Sequence, residues 1–181
     1  MKGIVFVALS EMVQEKFGHG FWNETISKAN LPSEGIYTSA ENYDDSEALS
    51  LLTVISSKLS KAPDEILKIF GIHLINSFHL RYPKFFNGNT YLSFLKSVDL
   101  VIHVELKKIY PETNLPKIFV TNESTEENIV VYYYSKRKMC SLAHGLMKGA
   151  AGIFNKQVRI VHEKCVLKGD EDCIFHITTK G

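Results

Sequence analysis

The chain has 181 residues, 45% apolar and 23% charged, with a formal net charge of +1. That length suits one domain, or two closely packed subdomains, with a sizeable core. The near-neutral charge argues against nucleic acid or a membrane surface as partner, and no apolar run reaches the roughly 20 residues of a spanning helix.

The opening Met1–Leu9 run is briefly like a secretory signal. Ser10, Glu11, Gln14, Glu15 and Lys16 interrupt it, and no small-residue cleavage site follows, so it is expected to remain as a helix. Apolar positions Val5, Leu9, Met12, Val13 and Phe17 predict a helix over 4–17, stopped by Gly18-His19-Gly20. A short helix over 21–29 precedes Leu31-Pro32. Asp44-Asp45-Ser46 caps a helix to about Leu59, and Pro63 opens another that runs to Arg81 before Pro83. After the Asn87-Gly88-Asn89 loop, one long helix is predicted from Tyr91 to Tyr110, closed by Pro111.

Beyond Pro111 the texture becomes β-rich. Ile118–Val120 and Ile129–Tyr134 read as strands, Met139–Phe154 as a helix, and Val158–Val166 with Cys173–Ile177 as a hairpin about Lys168-Gly169-Asp170. A helical half followed by a ββαββ half indicates an α+β fold.

Two features carry chemistry. In Tyr133-Tyr134-Ser135-Lys136-Arg137, alternation along a strand would set Tyr133, Ser135 and Arg137 on one face. A phenol, a hydroxyl and a guanidinium fork suit a ligand with two carboxylates or phosphates, such as the propionates of haem. The same pattern also fits the polar face of an edge strand. His103 lies on the long helix beside an apolar stripe, where an imidazole is either a metal ligand or a hydrogen-bonded core residue.

Taken together, these residues carry a family likeness. The chain resembles the H-NOX haem domains, relatives of the haem domain of soluble guanylate cyclase. The likeness begins at Met1-Lys2-Gly3, includes Tyr82-Pro83 and Phe85-Phe86-Asn87-Gly88, and continues through His103 and Leu115-Pro116. It is densest at Tyr133–Met139, which fits a Tyr-x-Ser-x-Arg signature. The resemblance implies a single domain over 1–181, with a distal helical part over about 1–62 and a proximal α+β part over 63–181. It also implies haem b held between them, ligated by His103 and clamped at its propionates by Tyr133, Ser135 and Arg137. Pro116 matches a proline that presses on the porphyrin, although it also reads as a strand-start proline.

Relatives that hold oxygen carry a distal tyrosine whose matching position here is Leu142, and two further polar or aromatic positions correspond to Leu9 and Leu74. Losing a hydrogen bond to a charged acceptor is worth roughly 1.5–3 kcal/mol, about one to two decades in affinity. An apolar pocket of Val5, Leu9, Leu74, Phe78, Leu142 and Leu146 is therefore expected to favour nitric oxide, and carbon monoxide, over oxygen. His144 and His73 should point about 200° and 100° away from Leu142 and Leu74 on their helices.

Cys140, His162, Cys165 and Cys173 form a second constellation in the C-terminal half. Three thiolates and an imidazole make a closed tetrahedral set of the structural zinc type, with His176 as a substitute ligand. The alternative is three small buried hydrophobes. A subset of H-NOX proteins resembles the chain in this set. An odd cysteine count makes a poor disulfide framework and points to a reducing cytoplasm.

The expected function is that of a non-enzymatic gas sensor acting in trans on a histidine kinase or a cyclic-di-GMP enzyme (a diguanylate cyclase or phosphodiesterase). The rival readings are an oxygen-binding haem protein and a zinc–thiol redox module. No nucleophile–base pair or open zinc site suggests a hydrolase.

Overall fold

The computed structural model describes residues 1–109 and 114–180. The predicted helix end at Tyr110-Pro111 lies outside them. The first helix, α1, runs Gly3–Ala29, and Asn30 closes it in the left-handed region. The two helices predicted over 4–17 and 21–29 are one element, kinked where Gly18 takes φ 85° and ψ 164°. Only glycine adopts such angles cheaply, so the residue expected to stop the helix bends it instead. Gly3 serves a different need. A Cβ there would fall 1.8 Å from the Thr38 carbonyl oxygen, because the 38–43 loop lies directly on the start of α1.

Asp44 caps α2 (Asp45–Leu59) by accepting from the Ser46 backbone N–H at 2.7 Å. Pro63 begins α3 (Pro63–Arg81), where its missing N–H costs nothing. After a 3-10 turn at Pro83–Phe85, a Thr90/Ser93 capping box starts α4 (Tyr91–Ser97). The single long helix predicted from Tyr91 is in fact divided. A π-helical turn over Val98–Ile102 separates α4 from α5 (His103–Ile109). Apolar periodicity cannot register one extra residue in a turn, which is why the sequence reads straight through it.

Four strands follow: β1 (Lys117–Val120), β2 (Asn128–Tyr134), β3 (Gln157–Lys164) and β4 (Cys173–Lys180), with α6 (Cys140–Ile153) between β2 and β3. They form one antiparallel sheet in the order β1-β2-β4-β3. The α+β class and the four-stranded antiparallel sheet are as expected. The β3–β4 link is longer than the predicted hairpin, because it holds a 3-10 turn at Val166–Lys168 and a left-handed Gly169.

Two apolar clusters fill the molecule. One gathers Phe6, Leu9, Met12, Leu51, Ile55, Phe70 and Leu74 among α1, α2 and α3. The other gathers Tyr91, Phe94, Val131, Tyr133, Met147, Phe175 and Ile177 between α4, α6 and the sheet. Phe78 and Leu146 touch both. The two clusters meet along α3 and α6, whose backbones approach closely through glycines. A Cβ on Gly71 would sit 2.5 Å from the Leu142 carbonyl oxygen, and one on Gly145 2.2 Å from that of Lys68. Neither contact can be relieved by turning a side chain. Gly145→Ala is therefore expected to lower stability by about 1–3 kcal/mol, the usual range for overpacking. Chemical denaturation of the two proteins side by side checks this.

Candidate functional site

His103 is the first residue after the π-turn. Val98 and Ile102 of that turn pack against the sheet-side core, which carries the imidazole inward until the residue is only 9% exposed. Its Nδ1 lies 3.0 Å from Asp99 Oδ1. A carboxylate can only accept, so Nδ1 carries the proton and Nε2 presents a free lone pair. Burial pushes the pKa of His103 down, and the hydrogen bond it donates to Asp99 only partly opposes this. The ring is thus neutral at pH 7, the state in which imidazole binds metals.

Tyr133, Ser135 and Arg137 are brought together, but not by the strand alternation the sequence suggested. Strand β2 ends at Tyr134. Ser135–Lys138 is a turn in which Lys138 N–H donates to the Ser135 carbonyl at 3.0 Å and Lys138 takes φ 52°. The backbone N–H of Arg137 donates to Ser135 Oγ at 3.2 Å. Arg137 Nε donates to Asp45 Oδ2 at 2.7 Å, and its Nη1 donates to the Asn114 carbonyl. Burial would raise the pKa of Asp45, but the Met1 ammonium (2.9 Å away) and Arg137 together hold it low. Tyr133 is buried, which pushes its phenol up to about 12, with the Ser135 hydroxyl acting against that rise. Pro116 is half-buried just before β1.

Next to this group lies an apolar cavity lined by Val5, Leu9, Phe70, Met139 and Leu142, with Met1 at its edge. Its lining side chains, which also include Phe6, Ala48, Leu52, Ile66 and Leu67, contain no hydroxyl, amide or charge. Leu74, Phe78 and Leu146 do not line it; they pack behind it in the same cluster. Met1 and Met139 connect the cavity to Arg137, the first through Asp45 and the second two residues along the turn. The Tyr133–Ser135–Arg137 group offers hydrogen bonds to an anion, the cavity offers an apolar lining, and His103, which does not line that cavity, offers a neutral imidazole. His73 faces Glu15 on α1 at 3.7 Å, and His144 sits edge-on to Phe175, so neither lines the cavity.

The ligand atoms of Cys140, His162, Cys165 and Cys173 all lie within 4.8 Å of one another. Cys140 Sγ and Cys165 Sγ are 3.7 Å apart, far beyond a disulfide. Two thiolates about 2.3 Å from a tetrahedral zinc would be about 3.8 Å apart, so this spacing is that of a tetrahedral edge. His162 Nε2 is buried without a hydrogen-bond partner, and the ring stacks on Phe175 at 4.1 Å. Burial pushes the Cys140 thiol up to about 12 and raises Cys173 as well. A bound cation would reverse both shifts. His176 pairs instead with Glu163 at 2.6 Å.

The haem-NO-binding family model matches residues 2–162. The chain belongs to the H-NOX family. An H-NOX protein from S. oneidensis, solved in its Fe(II)NO state, superposes with a TM-score of 0.93 at 31% identity, over all of both chains. The unliganded Fe(II) H-NOX protein from K. algicida gives 0.90 at 32%, over all of this chain and 97% of its own. Soluble guanylate cyclase 89Db of Drosophila melanogaster is 22% identical over 85% of this chain; the matched part is only 23% of the cyclase. H-NOX domains form a haem-based gas-sensor family. Among the described residues no helix is long and apolar enough to cross a membrane.

The sequence did not single out Phe70 or Met139 in the cavity, nor Asp45 as the partner of Arg137. Asp45 was legible only as part of a helix cap. One pH effect follows from the buried imidazoles. Burial lowers His144 from about 6.5 to about 4. Between those values the unfolded chain binds more protons, so His144 contributes stability above pH 6.5 and loses it as pH falls toward 4. The melting temperature of His144→Asn should therefore fall less steeply over that interval than that of the parent, by thermal scans at half-unit steps.

Proposed function

We propose that this H-NOX domain binds haem b between a helical part (about 1–62) and an α+β part (63–181), and senses nitric oxide. What supports this most is His103: buried and neutral, with Nδ1 engaged by Asp99 so that Nε2 is the nitrogen left to bind a metal. Arg137 is the strongest candidate to hold a propionate, because a guanidinium grips a carboxylate with two parallel hydrogen bonds. In this reading Arg137 exchanges its Asn114 carbonyl contact for the ligand while Asp45 keeps it in place. Tyr133 and Ser135 complete the anionic grip, and Pro116 bounds the site ahead of β1. When bound, haem would supply a ferrous iron able to take a diatomic gas, and His103 would be the residue that holds that iron. A change in that hold would let the π-turn and α5 shift, giving two states that a partner can distinguish. Val5, Leu9 and Leu142 offer no hydrogen bond to bound oxygen, so nitric oxide and carbon monoxide are the expected ligands.

The output is assigned to a partner in trans, a histidine kinase or a cyclic-di-GMP enzyme, in a cytoplasmic setting where all three thiols stay reduced. The tetrahedral thiol spacing and the unpartnered His162 Nε2 support a zinc held by Cys140, His162, Cys165 and Cys173, which ties the start of α6 to the β3–β4 link.

Absorption spectra of the reduced protein with nitric oxide, carbon monoxide and air provide the first test. Both NO and CO should bind and air should give no stable complex; an oxygen complex would favour the oxygen-binding reading. Arg137→Ala should lose haem roughly 10–100-fold faster, the range for a charge-assisted hydrogen bond, as followed by haem transfer to an acceptor protein. Metal analysis should find one zinc per chain, absent from Cys165→Ser. A zinc-free parent would leave the four residues as packing alone.

A further inference from the structure

We infer that Asp99 is a positioning residue for the gas response: through Nδ1 of His103 it sets how firmly that imidazole holds the haem iron. This rests on the haem-sensor reading above and asks what sets its threshold. The observation is the 3.0 Å contact between Asp99 Oδ1 and His103 Nδ1. It lies on the side of the ring away from the free Nε2. A carboxylate that accepts from one imidazole nitrogen draws the proton toward itself and makes the other nitrogen a stronger donor to a metal. Asp99 therefore opposes release of His103.

The backbone is arranged to make this contact. Asp99 lies within the π-turn and His103 directly follows it, the turn's hydrogen bond running from the His103 N–H to the Val98 carbonyl, five residues back. π-turns are uncommon and concentrate at functional sites. Val98 and Ile102 anchor this one in the core, while Leu100 and Val101 lie in solvent, 75% and 50% exposed. The Asp99 side chain, 39% exposed, sits at the boundary between them. It still reaches a buried ring. A hydrogen bond that is half wet is strong enough to bias the metal bond and weak enough to be overcome. A fully buried carboxylate would fix His103 too tightly for a gas to dislodge it.

The test uses the haem-loaded ferrous protein, with Asp99→Asn and Asp99→Ala beside the parent. Resonance Raman spectroscopy reads the iron–imidazole stretch directly. It should shift to lower frequency in both variants, because the amide accepts a weaker hydrogen bond and alanine none. After rapid mixing with nitric oxide, the axial imidazole should leave roughly tenfold faster. Thermal midpoints should stay close to that of the parent, since the side chain is partly in water. If the stretch and the release rate are unmoved in both variants, the inference is overturned while the sensor reading stands. If the parent itself shows no iron–imidazole band, the sensor reading falls and this inference with it.

Discussion

Two helix backbones packed almost against one another set the geometry of the whole molecule. Gly71 on α3 and Gly145 on α6 leave no room for even a methyl group between the helices. The α3–α6 pair is the seam at which the two apolar clusters meet, with Phe78 and Leu146 shared between them. Everything functional is placed relative to that seam. Leu142 of α6 and Phe70 of α3 face the cavity, while the start of α6 carries Cys140 to the thiol cluster. Loosening the seam would move the cavity walls and the metal-type cluster together.

Electrostatics links the same parts in a different way. Asp45 opens α2, one of the helices around the first apolar cluster, yet its side chain reaches Arg137 in the turn after β2 at 2.7 Å. The guanidinium is therefore held by a carboxylate from the opposite part of the molecule. An anionic ligand at Arg137 would act on both parts at once. The thiol cluster is close as well. Cys173 pairs with Tyr133 across β4 and β2, and Cys140 follows Met139, whose carbonyl lies 3.5 Å from the Tyr133 hydroxyl. The Cys140 and Cys173 thiols also act electrostatically on the Tyr133 phenol.

The π-turn before His103 shows how local chain geometry serves chemistry. It interrupts what would otherwise be a regular helix immediately before a buried, neutral imidazole. Burial keeps the ring uncharged, and Asp99 fixes which nitrogen bears the proton. The neighbouring Leu100 and Val101 remain in solvent, within a single turn of the buried His103.

The sequence by itself determined the α+β class, the sheet, the cap at Asp44 and most helix spans, because these follow from local periodicity and capping chemistry. It also assembled the cysteine–histidine set and singled out Tyr133, Ser135 and Arg137 as one group of donors, since residue type and spacing carry that information. Only the tertiary structure decided how those donors converge. Ser135 and Arg137 meet through a turn with a left-handed Lys138, and Arg137 is aimed by Asp45, 92 residues away. It alone separated Leu142, which faces the cavity, from Leu74 and Leu146, which pack behind it. Periodicity says which residues are buried, but not which void they border. That depends on the approach of α1, α3 and α6, a distance fixed by the glycines between helices rather than by any pattern within one.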